Sequence, residues 1–506
     1  MKLHSKQFLI VVTLVFLLSG NSCFAQGDKI GVYKMTTPIP PGIAIPDKVD
    51  TRFGTLNFFD GFPDNASTQK IFDNLDFQRA VQAYLLALPP VNQVGMRKGL
   101  LELGPANYTV SIMETLLDSH SLFLTGNTNT VYSVAWLDLH GGPLVLEAPP
   151  NVLGFINNMW SNWVVDVGIT GPDKGKGGKY LILPPGYNGT VPDGYFIVRP
   201  GTFNNWLFWR SFLVNGDPKP GVDEVKKLTR IYPLSNAANP PAMKFVNISD
   251  KVMNTIAPAG YSSWEVLNQI VQEEPTESLD PVTLGFFASI GIEKGKQFAP
   301  DARMKQILTE AAAVGDATAR ALTYRMRQKE AYYYPNSAWR TLFLGSYKFE
   351  ENGTRILDSA ASFFFYAIGV TPAMTNKMIG QGSQYAVAFV DSNGNPLDGG
   401  KNYTLHLPPN IPIKEFWSII PYDDQTRSML QTDQRFPTVG SQTKGFLVNA
   451  NGSVDVYFGP KAPKGNENNW VQTIPGKGWS TALRLYSPLE PWFDKTWRPG
   501  EIELQP

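Results

Sequence analysis

The chain has 506 residues, 44 basic and 44 acidic side chains, and a single cysteine. That length exceeds what one hydrophobic core covers and calls for two or three domains, while cancelled charge without a block of one sign leaves a nucleic-acid partner no electrostatic footprint. Gly 45 and Pro 40, set between short apolar runs, favour many tight turns over long helices, so the chain reads as mainly β with helical segments.

At the start, Lys2, His4 and Lys6 precede the apolar run 8–18, and small or polar residues follow, the pattern of a secretory signal peptide over 1–25. Cleavage after Ala25 is the expected processing, with lipid attachment at Cys23 as the alternative. The exported domain then has no disulfide and no cysteine nucleophile, and a periplasmic or secreted location follows. No later run of 18 apolar residues predicts a transmembrane segment. Residues 26–60 are Pro-rich and read as an extended arm.

Phe72, Leu75, Phe77, Ala80, Val81, Tyr84 and Leu85 recur at helical spacing; Pro89-Pro90 should end that helix before a second one over 92–103. Strand-like runs at 122–124, 131–139 and 144–147, separated by Gly-containing turns, read as hairpin neighbours. Further strands are expected at 163–169, 180–183, 195–198 and 207–214, in the regular spacing of a sandwich. The pattern then turns helical at 223–231, 262–273, 281–290 and 302–330, with a Ser262/Glu265 capping box and an Asp280 cap. After a helix at 355–368, strands are expected at 385–390, 403–407, 415–420, 446–448, 454–458 and 480–486, which fits a jelly roll. The domains are therefore 26–219, an N-terminal β-sandwich with a helical lead-in; 220–345, a helical segment; and 346–506, a C-terminal jelly roll.

Signatures of known chemistry are sparse. His120, His140 and His406 show no metal-ligand spacing, and Asp423-Asp424 and Asp60…Asp64 read as turn caps before a Ca²⁺ site, so no cofactor is expected. No G-x-S-x-G elbow occurs, and Ser67…Lys70 and Ser441…Lys444 match S-x-x-K without its partner motifs. The Gly171–Gly178 loop lacks P-loop spacing. Aromatic clusters remain, Trp160 with Trp163, Trp206 with Trp209, and Trp470, Trp479, Trp492 and Trp497, either as inter-sheet core or as stacking platforms for a small-molecule or carbohydrate ligand. Arg210, Arg427 and Arg484 lie beside aromatic or acidic residues; Asp423 or Asp424 with Arg427, and Asp494 with Arg484 or Arg498, are the pairs expected.

The stretches TGNTNTVYSVAWLDLHGGPLVLEAPP, FVDSNGNPLDGGKNYTLHLPP, EFWSIIPYDDQTRSML and NWVQTIPGKGWSTALRLYSPLEPWFDKTWRPGEIE resemble a bacterial exported family with domain of unknown function 1254 on the N-terminal side and domain of unknown function 1214 on the C-terminal side. The resemblance implies an N-terminal sandwich, a helical segment and a jelly roll, and it carries no catalytic residues. Where that family has Asn-Asn-Asp-Thr, this chain has Asn127-Thr128-Asn129-Thr130, so an acid, base or ligand role for the aspartate has no ionisable counterpart at Asn129.

Two functions fit. One is a hydrolase-like envelope enzyme working on a small or polymeric substrate in an inter-domain cleft; the other is a non-catalytic carbohydrate-binding, ligand-binding or scaffold protein, with self-association open in either case. The candidate ligand-binding residues are Asn127, Asn129, Thr130, Tyr132, Trp136, Arg210, Arg427 and Arg484; their convergence with an ionisable group favours the enzyme.

Overall fold

The computed structural model describes residues 36–506; the signal-like segment and Cys23 lie outside the described residues. The chain divides into two compact units between Lys70 and Ile71. In the first unit, the strands Lys48–Thr51, Gly54–Phe59 and Phe62–Pro63 form an antiparallel sheet. An arm without regular structure was expected here. The pairing comes instead from two tight turns, one of them Asp60-Gly61, whose φ values of 44° and 83° are the left-handed pair that a two-residue hairpin requires.

The helix Asn65–Leu101, which begins before that boundary and lies mostly in the second unit, continues through Pro89 and Pro90, contrary to the break expected there. Each proline lacks the N–H of the helical ladder, and tertiary contacts hold the turn: Ser161 Oγ donates to the Pro89 carbonyl at 3.0 Å and Gln93 Nε2 donates to Ser161 Oγ at 3.1 Å.

A six-stranded sheet runs in the order Lys244–Asn247, Thr109–Ile112, Val131–Asp138, Asn204–Ser211, Leu153–Asn158, Trp163–Gly168. A four-stranded sheet of Phe196–Val198, Gly178–Ile182, Leu144–Ala148 and Arg230–Pro233 packs on one face of it, with Ala135, Leu137, Leu207 and Trp209 meeting Leu144, Leu146, Tyr180 and Ile182. The runs at 131–139 and 144–147 are thus not hairpin partners. Seven of the eight residues of Val131–Asp138 are buried, so the strand needs a layer on both faces, and the turn through Gly142, at φ 111°, sends the chain into one of those layers.

The C-terminal region holds two further four-stranded sheets. One has the order Ser383–Ala388, Trp479–Pro488, Ile413–Asp423, Val439–Gly440; the other, Trp470–Gln472, Val454–Gly459, Tyr403–Leu407, Ile502–Leu504. Ala386, Trp417, Ile419, Leu483 and Leu485 face Tyr403, Leu405, Val456 and Phe458 between them. The remaining faces of the six-stranded sheet and of the first C-terminal sheet share a third core with the helices Ser262–Glu273, Ala302–Tyr324 and Leu357–Tyr366. That shared layer positions the site.

Smaller differences have local causes. Residue 122 makes one isolated bridge to Asn254 instead of entering a strand, and 446–448 is not a strand. The helix Ser262–Glu273 is preceded by Tyr261 as its cap, without a side-chain hydrogen bond, so Ser262 sits one position too late to close a capping box. Asp280 does cap Pro281–Ser289, accepting from the Val282 and Thr283 N–H groups.

Candidate functional site

Alternate residues of a strand share a face. Along Asn204–Ser211 the alternation Trp206, Phe208, Arg210 points into the shared layer, while Trp209 faces the opposite core. Arg210 is paired across to Tyr132 and Phe208 to Val134, with Phe155 opposite Phe208 on the other side. From the C-terminal sheet, Ala482 and Arg484 alternate along Trp479–Pro488, and Arg484 is paired across to Tyr385. These side chains, with Phe363, Tyr366 and the 367–369 turn, enclose a cavity of about 70 Å³.

Both arginines are buried, Arg210 at 4% and Arg484 at 6% exposure, and among the described residues no acidic side chain lines the cavity. The Arg484 Nε donates to Tyr422 Oη at 3.0 Å and its Nη2 to the same oxygen at 2.6 Å and to the Thr125 carbonyl. Arg210 acts on the Tyr385 phenol through its charge, and its Nε has no hydrogen-bond partner among the described residues. Its guanidinium carbon lies 5.1 Å from the Phe208 ring centre and 5.6 Å from that of Tyr486.

The tyrosines respond to this field. Burial pushes Tyr422 up to about 12 against the pull of Arg484, and burial likewise raises Tyr132 and Tyr486. Tyr385 goes the other way: burial opposes ionisation, but Arg210 and Arg484 together outweigh it and hold its pKa below the ordinary value. At neutral pH raised phenols are uncharged, so Tyr132, Tyr422 and Tyr486 do not neutralise the guanidiniums. Burial opposes each arginine's charge and Arg484 acts against that of Arg210, yet the surrounding tyrosines outweigh these and hold both guanidiniums above their ordinary pKa. An ion withdrawn from water without a counter-charge costs several kcal/mol, which an anion in the cavity would offset.

The 125–130 loop holds this arrangement from behind. Asn127 Oδ1 accepts from the N–H groups of Asn129 at 3.0 Å and Thr130 at 3.2 Å and from Thr130 Oγ1 at 3.1 Å. Its Nδ2 donates to Tyr486 Oη, its backbone N–H donates to Tyr132 Oη at 3.0 Å, and Tyr422 Oη donates to the Gly126 carbonyl at 2.9 Å.

Of the eight residues singled out in the sequence, Tyr132, Arg210 and Arg484 line the cavity. Asn127 and Thr130 shape the loop behind it, and Asn129 contributes its backbone N–H. The other two do not join. Trp136 donates to Asn204 Oδ1 at 2.9 Å on the same sheet, and Arg427 stacks on Phe365 at 4.5 Å while its Nε donates to the Phe365 carbonyl at 3.1 Å.

The expected Asp–Arg pairs are absent among the described residues. Asp423 pairs with Lys477, Asp494 accepts from Thr496, and Arg498 pairs with Glu501. Short turns decide this, since Asp494 and Asp423 each serve the N–H groups two or three residues ahead. Sequence reasoning missed Tyr385, Phe155, Phe363 and Tyr366. The available signal was a lone arginine inside a fully buried strand, which Arg210 and Arg484 both are.

Residues 108–233 match the family described as Protein of unknown function (DUF1254), and residues 382–490 match Protein of unknown function (DUF1214). The chain carries both domains, in that order. Tyr132, Phe155 and Arg210 come from the DUF1254 segment and Tyr385, Ala482 and Arg484 from the DUF1214 segment, so the cavity is built jointly by the two. No curated protein matches the chain. The fold is similar to the crystal structure of the VPA0106 protein from Vibrio parahaemolyticus, with TM-score 0.54 and 18% identity over 85% of this chain and 100% of that one. A fainter likeness is to an uncharacterized protein from Burkholderia cenocepacia, with TM-score 0.37 and 12% identity over 86% of this chain and 96% of that one.

Proposed function

We propose that the chain binds a small organic anion in the cavity shared by its two domains. One observation carries this reading: Arg210 and Arg484 present buried guanidiniums to a largely aromatic cavity whose lining, among the described residues, contains no carboxylate. Arginine pairs well with carboxylates through its planar fork of donors, and the surrounding rings suit an apolar body. Thermal unfolding with and without added carboxylates tests it, because a ligand at about 100 times its Kd stabilises by about 2.7 kcal/mol. A carboxylate-dependent rise in Tm that disappears in Arg484→Met is the expected outcome; equal shifts in both proteins would contradict it.

A second reading, the hydrolase-like enzyme, is favoured by Tyr385 alone, the lining group whose proton the two arginines loosen. A base needs a pKa near the working pH, and turnover that is lost in Tyr385→Phe while ligand binding persists would support it. Carbohydrate binding on the tryptophans draws less support, because Trp206, Trp209, Trp479 and Trp492 are buried. The facing sheets of each half fit a β-sandwich before a jelly roll, and the signal-like start of the sequence favours a periplasmic or secreted site of action.

A further inference from the structure

We infer that the ligand is a short-chain aliphatic monocarboxylate of roughly five to seven non-hydrogen atoms, a size obtained from one water-sized position per 10–15 Å³ of cavity. This rests on the anion-binding reading above and adds the ligand's charge, shape and length. Three features carry it.

The first is the one-sided placement of the polar groups. Arg210, Tyr132, Arg484 and Tyr385 are two cross-strand pairs that line one cavity, with Arg484 5.2 Å from the Tyr385 ring centre, so the charged donors form one cluster. A single carboxylate satisfies it. Apart from Thr125 and Tyr366, the rest of the lining is apolar, including Phe155, Trp206, Phe363, Met374 and Ala482. A second carboxylate would be desolvated among those rings at a cost of several kcal/mol, and an inorganic anion would leave them without a partner.

The second is volume. About 70 Å³, at about 10–15 Å³ per position, admits the roughly five to seven non-hydrogen atoms of propionate, butyrate or valerate and not the nine of benzoate. The third is a tightly packed stretch of the apolar wall. Gly369 has φ 84°, and a Cβ there would stand 2.7 Å from Phe155 Cζ and 3.1 Å from Trp206 Cζ3, so the backbone already lies against the rings of that wall.

Calorimetric titration of the full chain with acetate, propionate, butyrate, valerate, hexanoate and octanoate, beside phosphate, succinate and benzoate, tests the inference. Affinity should rise about fourfold per methylene, the equivalent of burying one CH₂, reach its maximum between propionate and valerate, and fall at octanoate. In Phe363→Ala the maximum should move to a longer acid. Tight binding of phosphate, succinate or benzoate, with no dependence on aliphatic length, would overturn the monocarboxylate while leaving the anion site standing. If no anion binds either the wild type or Phe363→Ala, the anion-binding reading falls as well.

Discussion

Arg210, from the DUF1254 segment, places its guanidinium carbon 5.6 Å from the ring centre of Tyr486, in the DUF1214 segment. Tyr486 in turn accepts from Asn127 of the first segment, so the two families interlock around one cluster of cations and phenols. The contact is favourable, since a cation over an aromatic face gains about 0.5–2 kcal/mol, yet it leaves the charge itself unneutralised.

That imbalance predicts the behaviour of Arg210→Met. Replacing a buried, uncompensated ion by an apolar side chain of similar volume is often neutral or stabilising, and Arg210 Nε has no hydrogen-bond partner to lose. In urea titration without ligand the variant should be as stable as wild type or up to ~2 kcal/mol more stable, while its response to carboxylates disappears. A loss of 3 kcal/mol or more would mean that a counter-charge is present.

The sequence makes this cluster only half legible. Strands at 403–407, 454–458 and 480–486 are visible because turn residues bracket them and apolar side chains fill them, and the structure has all three. The helix 262–273 is equally plain. Arg210, Arg484 and Tyr132 stand out as polar groups inside apolar runs. Which layer each strand faces is not encoded locally. Val131–Asp138 and Leu144–Ala148 look like hairpin partners and separate into different sheets because both faces of the first are covered. Arg427 and Trp136 carry the same local signal as Arg484, and their strand or loop context points them elsewhere.

Asp424 supplies a pH test away from the cavity. Burial pushes its carboxyl up to about 7, Asp423 adds to the rise, and Ser480, Arg320 and Lys477 oppose it; its Oδ1 has no hydrogen-bond partner among the described residues. Since the folded pKa exceeds the unfolded value of 3.8, the native state binds more protons between the two, and stability falls as pH rises from about 4 to 7. Each pH unit is worth about 1.4 kcal/mol, so the full effect is at most ~4 kcal/mol, reduced by the solvent that a partly buried carboxyl still sees. Asp424→Asn should therefore gain on wild type between pH 4 and pH 8 in chemical denaturation. A constant difference across that range would contradict the shift.

Asn127→Ala removes the acceptor for two backbone N–H groups and the donor to Tyr486. Buried donors left unpaired cost about 1–3 kcal/mol each at the site of loss, so the variant should lose roughly 2–6 kcal/mol, and hydrogen exchange at the Asn129 and Thr130 amides should accelerate. Unchanged exchange at both amides would show that the loop does not depend on this side chain.

Gly369→Ala should lower stability by about 1–3 kcal/mol, because a left-handed position is strained for alanine and its Cβ would press on Phe155 at 2.7 Å. Differential scanning calorimetry measures the loss; a Tm equal to that of wild type would mean that the 367–369 turn can retreat from the cavity wall.

The most direct measurement is calorimetric titration of butyrate into wild type and into the Arg210→Met/Arg484→Met double variant, at low and at high salt. Two buried guanidiniums facing one cavity predict saturable one-to-one binding by the wild type, weaker by less than tenfold in high salt because the charges are buried, and no detectable binding by a folded double variant. Equal butyrate binding by both proteins would contradict the anion site.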